Sequence, residues 1–238
     1  MPSTSRRRPA TRGSRAPRGP ASSERAREYD PDCTRCPRLA AYLAQARAEH
    51  PDYHARPVAP FGDPDARLLV VGLAPGFNGA NRTGRPFTGD HAGILLYDTL
   101  HRCGFANRAQ SVARDDGLAL HDCRIANAVN CVPPQNKPLP EEVRTCNVYL
   151  AAEVLRLPPR AVIIALGHTA HDAVLMVLER PRAAHVFAHG AVHDLGNGFR
   201  LLDSYHCSRY NTQTGRLTAA MFGAVVHRAR RLLDDPGP

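Results

Sequence analysis

From residue 66 onward, short runs of consecutive apolar residues alternate with longer stretches in which apolar positions recur every three or four residues. Runs of the first kind occupy 67–73 (RLLVVGL), 124–130 (RIANAVN) and 160–167 (RAVIIALG). Each is too short for a good helix and is closed by Gly, Pro or Asn, so each reads as a buried strand. Two further strands are predicted over 186–192 and 199–204, the first interrupted by His189 and Gly190. Helical spacing predicts helices over 39–49, 92–103, 141–155, 169–178 and 217–233; in the fourth, Ala170, Ala173, Val174, Val177 and Leu178 mark one face. Strands alternating with crossover helices imply an α/β fold around a mostly parallel sheet.

Composition narrows this picture. The 238 residues are 43% hydrophobic and 22% charged, ordinary for a globular chain large enough to bury a core, and no stretch reaches the roughly 20 apolar residues of a membrane span. The net charge of +9 resembles that of a nucleic-acid binder, but its location matters. Residues 1–28 hold eight arginines against Glu24 and Glu28, a net of +6, which leaves +3 for the remaining 210 residues. This Arg/Pro-rich segment has too little apolar surface to offset its chain entropy and is expected to be a disordered arm. It is either solvated filler or a non-specific attractor of phosphates. It lacks the apolar centre of a secretory signal, so a cytoplasmic protein is expected. Residues 235–238 are expected to fray, leaving 29–234 as one domain.

Seven cysteines, at 33, 36, 103, 123, 131, 146 and 207, are an unpromising disulfide set in such a chain. Cys33 and Cys36 form a C-x2-C pair. Cys131 and Cys146 are separated by fourteen residues that include a Pro-Pro turn, which does not match the second C-x2-C of a zinc ribbon. One close pair and two distant thiolates suit a cuboidal [4Fe-4S] cluster better; the alternative is four reduced core cysteines. Cys103 and Cys123 fall in helix and strand patterns, where they read as small buried hydrophobes.

The segment 72–93, GLAPGFNGANRTGRPFTGDHAG, follows a predicted strand and precedes a predicted helix, where α/β proteins bind ligands. Arg85 and Pro86 stand where a P-loop needs Lys-Ser/Thr, and the dinucleotide fingerprint is absent. Phe87 either presents a stacking surface beside Asp90 or packs under the loop.

Five ordered blocks carry a resemblance: GLAPG (72–76), NRTGRPFTGD (81–90), NAVNCVPPQNKP (127–138), ALGHTA (165–170) and SYHCSRYNTQTGRLT (204–218). Together they resemble the family 5 uracil-DNA glycosylases, the iron-sulfur branch of that superfamily, from about Cys33 to the final helix. The resemblance implies a three-layer α/β/α sandwich with a four- or five-stranded sheet. It implies a monofunctional enzyme that flips uracil out of DNA and cuts its N-glycosidic bond. Hypoxanthine and other deaminated bases are further possible substrates.

It also implies roles. His206 would donate to uracil O2 as charge develops. Asp90 would orient water and stabilise the sugar cation, although it is equally placed to be a helix N-cap. Asn127 would read the base edge, with Asn136 as competitor. Phe87 would stack on the base, and backbone near Ala74 and Gly76 would complete the pocket. Arg209, Tyr210 and Arg216 would meet DNA. Cys33, Cys36, Cys131 and Cys146 would hold the cluster.

The chain departs from the family in having Cys207 where Pro usually follows the His, which puts that loop's geometry in question. Leu73 to Gly76 also lacks the polar catalytic residue of other branches, shifting the burden to Asp90 and His206. The only lysine, Lys137, leaves a Schiff-base mechanism one candidate. The expected protein is a monomeric, nucleoid-associated enzyme; a non-catalytic iron-sulfur DNA binder is the alternative.

Overall fold

The computed structural model describes residues 26–196 and 198–235. Most of the expected arm lies outside them, but its last three residues are docked. Ala26 packs against the core, the Arg27 N–H donates to Val148 O at 2.9 Å, and Glu28 pairs with Arg156 at 2.9 Å. The ordered domain therefore begins earlier than residue 29. At the other end Asp235 still donates to Arg231 O, and 236–238 lie outside the described residues.

The strands are β1 (Phe61–Gly62), β2 (Leu68–Gly72), β3 (Cys123–Asn127), β4 (Val162–Leu166), β5 (Val192–Gly196) and β6 (Phe199–Ser204). They form one sheet in the order β1-β3-β2-β4-β6-β5, in which β3, β2, β4 and β6 run parallel and the two edge strands antiparallel. The sheet gains a sixth strand over the expected four or five because β1, two residues long, leaves no periodic trace. The strand predicted over 186–192 is displaced. His189 and Gly190 turn the chain, closed by Ala191 N–H on Ala188 O at 2.9 Å, and pairing with β6 starts only at Val192. The run 124–130 likewise leaves the sheet at Asn127.

The helices are α1 (Pro37–Glu49), α2 (Ala80–Thr83), α3 (His91–Arg102), α4 (Pro140–Arg156), α5 (His168–Val177), α6 (Arg209–Gln213) and α7 (Ala219–Asp234). The five long ones match the sequence expectation to within two residues at each end. Strand side chains alternate between faces. Leu68, Val70, Ile125, Ile164 and Leu202 pack with α3 and α7, whereas Leu69, Val71, Ala126, Ile163 and Leu201 pack with α1, α4 and α5. Both faces are covered, so every residue of β2 and β4 is buried and their sequences read as unbroken apolar runs. This is the expected three-layer sandwich. No helix among the described residues is long and apolar enough to cross a membrane.

After β2 the chain crosses to the face of α3, and after β3 to the opposite face, that of α4. The two loops diverge at the carboxyl edge of adjacent strands and open a crevice there, the position at which open α/β sheets bind ligands.

Candidate active site

The loop after β2 is fastened from beneath. Arg85 is 3% exposed; its guanidinium pairs with Asp116 at 2.6 Å and donates to Ser111 Oγ at 2.7 Å and Thr88 Oγ1 at 3.0 Å. The Tyr97 hydroxyl donates to Pro86 O at 2.7 Å. Arg85 therefore points into the protein and anchors the loop. The anchored loop holds Phe87 at a φ of +54°, a strained conformation for an aromatic residue.

That strain places the Phe87 ring on the floor of a cleft of about 530 Å³. A Cβ on Gly72 would stand 2.6 Å from Phe87 Cζ and 2.5 Å from Asn127 Oδ1, so only glycine at the end of β2 lets both side chains reach the cleft. Asn127 Oδ1 is buried and finds no hydrogen-bond partner among the described residues. The His206 ring lies 5.9 Å from Phe87, centre to centre, at 30°. Its carbonyl accepts from Asn211 Nδ2 at 2.8 Å, while no hydrogen bond from either ring nitrogen occurs among the described residues. Burial pushes its pKa down to about 4. His206 is thus a neutral imidazole with an uncommitted N–H.

Asp90 makes the helix cap foreseen for it. Its Oδ1 accepts from Gly93 N–H at 3.1 Å and caps α3, while Oδ2 faces the start of the same loop, 2.3 Å from where a Cβ on Gly79 would stand. Burial raises its pKa, and the amides of Gly93 and Ala92 pull partly back. Ala74, Gly76, Asn127 and Asn136 all line the cleft. The two asparagines are therefore both present, Asn127 at the end of β3 and Asn136 on a turn at φ +56°.

Cys207 is wholly buried in the core against α3 and α7, its thiol pushed up to about 12 by burial with Asp90 adding to it. It packs as an apolar residue and does not line the cleft. Arg209 reaches the rim, Tyr210 stands 71% exposed, and the Arg216 guanidinium lies over the Tyr205 ring at 4.6 Å. Sequence reasoning passed over Phe77, Asn78, His91 and Ser208, which also line the cleft. Ser208 carried a signal: it accepts from Asn211 N–H as the N-cap of α6. His91 Nε2 lies 2.9 Å from Thr212 Oγ1 and ties α3 to α6.

On the other face of the sheet, Cys33, Cys36, Cys131 and Cys146 converge on one enclosed pocket. Among the described residues only His171, His193 and Asp203 bring three ligand atoms within 4.8 Å of one another, so no three of the four sulfurs lie that close together. Tetrahedral zinc holds its sulfurs about 3.8 Å apart, from a Zn–S bond of about 2.3 Å. Tyr149 OH donates to Cys33 Sγ at 3.2 Å and Asn130 N–H to Cys146 Sγ at 3.3 Å, and Arg35 adds positive charge. As free thiols Cys36, Cys131 and Cys146 are pushed up, Cys146 to about 12, by burial first and by the neighbouring cysteines. Cys103 and Cys123 are buried in the opposite core, as expected.

Residues 59–230 match the family described as the Uracil DNA glycosylase superfamily. The chain is 48% identical over 205 residues to a type-5 uracil-DNA glycosylase of Thermus thermophilus, covering 84% of this chain and 93% of that one. It is 45% identical over 202 residues to a type-5 enzyme of Pyrobaculum aerophilum, covering 83% and 88%. A type-4 uracil-DNA glycosylase of Thermotoga maritima matches at 39% over 110 residues, about half of each chain. With its cleft, loops and strand ends falling inside the matched region, the chain belongs to the uracil-DNA glycosylase superfamily and, within it, to the type-5 enzymes.

Proposed function

We propose that this protein removes uracil from DNA by hydrolysing the N-glycosidic bond and leaves an abasic site. The observation that carries the reading is the uncommitted polar lining of the cleft: a neutral His206 N–H and an unpartnered Asn127 Oδ1 beside the Phe87 ring. Buried polar atoms without partners are rare, and here they await a planar, hydrogen-bonding guest. A flipped base is such a guest.

In the reaction the bond between the sugar C1′ and the base nitrogen breaks, and its electron pair leaves with the base. His206 donates to the oxygen on which that charge gathers; because the imidazole is already neutral, it stabilises the anion without giving up a proton. The Asp90 carboxylate faces the oxocarbenium-like sugar and orients the water that adds to C1′. The water's proton passes to Asp90 or to solvent, and the departing base is protonated from solvent. Asn127, able both to donate and to accept, matches the imide edge of uracil and can also meet hypoxanthine, so a wider range of deaminated bases fits the same floor. Lys137 is not among the cleft-lining residues, so the reaction stops at the abasic site without a Schiff base.

We assign the four converging thiols to a [4Fe-4S] cluster with a structural role. Their separation supports it, as do the N–H and O–H donors aimed at two of the sulfurs. The cluster braces the N-terminal segment against the loop after Asn127. The protein works as a monomer on nucleoid DNA. The alternative, a non-catalytic binder, rested on Cys207, and that side chain leaves the cleft lining intact.

The test is incubation with a duplex carrying one uracil, followed by hot alkali. Cleavage at that position is expected; an intact strand bound with undiminished affinity would overturn the enzyme in favour of the binder. Iron and a broad visible absorbance near the blue region are expected in anaerobically purified protein.

A further inference from the structure

The end of β6 delivers His206, and three buried groups control that end. Asp203 is wholly buried. Its Oδ1 is 2.7 Å from His171 Nδ1, and its Oδ2 is 2.9 Å from His193 Nε2 and accepts from Ala188 N–H at 3.2 Å. The other ring nitrogen of His171, Nε2, lies 2.8 Å from the carbonyl of His185. A carbonyl only accepts, so Nε2 carries a hydrogen. Asp203 already accepts two further N–H donors, which favours its ionised form, so Nδ1 carries a hydrogen as well. Both nitrogens protonated make His171 an imidazolium, paired with a carboxylate in the dry interior.

The pair grips the loop 185–191 on every side. His171 holds the His185 carbonyl, the Asp203 carboxylate holds Ala188 N–H, the Asp203 carbonyl accepts from Gly190 N–H at 2.8 Å, and Asp203 N–H donates to Ala191 O at 3.0 Å. The loop then holds the residue before His206. Tyr205 N–H donates to His189 Nδ1 at 3.2 Å, and the two rings stack at 5.0 Å and 17°. As an acceptor there, His189 is neutral.

We propose that His171 and Asp203 are positioning residues for His206: an imidazolium–carboxylate clamp on the 185–191 loop that fixes, through His189 and Tyr205, where the His206 ring stands. The function given to His206 rests on the glycosylase reading above; the clamp itself does not. A resident metal ion is the competing account of the same trio. It would require both histidines to give up the ring protons that they direct at Asp203, with no fourth described ligand.

Charged and titratable groups around His171 come from each neighbouring element. Asp203 lies on β6 and His193 on β5, and His185 lies in the loop. Asp172 on α5 is itself paired with Arg182 at 3.2 Å. Burial alone would lower the pKa of His171, but the Asp203 hydrogen bond and charge, the His185 carbonyl and Asp172 outweigh it and raise it. A raised pKa means that the clamp persists to higher pH than an ordinary histidine would allow and opens as pH rises through the folded value.

Nitrogen-15 NMR of the intact protein tests the clamp without substrate. Expected are two protonated ring nitrogens on His171 at pH 7, titrating above free histidine, with the Tyr205 and His206 amide resonances moving in the same titration. A neutral His171 at pH 7, or stoichiometric zinc whose chelation shifts the His171 and His193 rings together, would overturn it. His171→Gln is expected to lower single-turnover uracil excision about tenfold to a hundredfold, the scale of a misplaced reacting group. It should remove the alkaline fall in rate and leave DNA affinity unchanged. Should H171Q fail to fold, His193→Gln serves in its place, because its amide still donates to Asp203 and it should lose less than His193→Ala. A wild-type rate and pH profile in H171Q would end the positioning role, whereas absent activity in the unaltered protein with the expected NMR titration would indict the glycosylase reading alone.

Discussion

The two polar centres on either side of the sheet are built on opposite terms. In the thiol pocket polar atoms are enclosed and supported: two of the sulfurs receive an O–H or N–H donor, and helices α1 and α4 close over the set. In the cleft Asn127 Oδ1 and the His206 ring are left without partners, and the backbone nearby is strained at Phe87 or pared to glycine at Gly72. Supported polar groups hold a structure together, whereas unsupported ones, held in place by rigid surroundings, are available to a ligand. The difference separates the brace from the working site without reference to any relative.

Several experiments would break or sharpen this contrast. The greatest effect is expected from Cys146→Ser, which should abolish iron and visible absorbance and lower the melting temperature by roughly 2–4 °C for each kcal/mol lost in a domain of this size. Retention of full stability and iron would remove the brace. His206→Ala should cut single-turnover excision by about 10²–10³-fold while duplex affinity, measured by fluorescence anisotropy, stays near that of the parent. Phe87→Ala should weaken binding of uracil-containing DNA by about 1–3 kcal/mol, the value of one stacked base, with little change for uracil-free duplex.

The pH dependence should be smaller. His206 is neutral down to about pH 4, so no change in rate is expected near the ordinary histidine pKa of about 6.5 from this residue. Asp90, raised by burial, must be ionised, so the rate should fall on the acid side as pH drops through its folded pKa. Asp90→Asn should flatten that limb. The smallest effect should follow deletion of residues 1–25, which carry seven arginines and one glutamate; the salt dependence of DNA binding should flatten while excision persists.

Much of this was legible before the coordinates. The two central strands β2 and β4 announce themselves because burial on both faces leaves no room for polar alternation, as in LLVVG and VIIAL. The C-x2-C pair and the blocks around Asp90, Asn127 and His206 carried the site. Three things were not legible, each for a physical reason. The edge strand β1 is too short to have a period. The start of β5 depended on a turn at His189 and Gly190 that interrupts an otherwise plausible apolar run. The trio of His171, His193 and Asp203 lies on three elements, and nothing local to any of them reports the other two. Arg85 was readable only as the absence of a P-loop lysine; its positive role, pairing with Asp116 more than thirty residues on, required the fold.

Asp90 has a consequence for how such a protein can change over generations. The carboxyl group proposed to face the sugar also closes the first turn of α3. Replacing it by Ala or Leu forfeits the cap, at about 1 kcal/mol, together with the charge, so a lineage drifting that way loses fold and chemistry at once and is readily purged. Asn, Ser and Thr keep the cap and lose only the charge. Any descendant that had quietly become a reader of DNA and not its mender should therefore carry one of those three residues at this position.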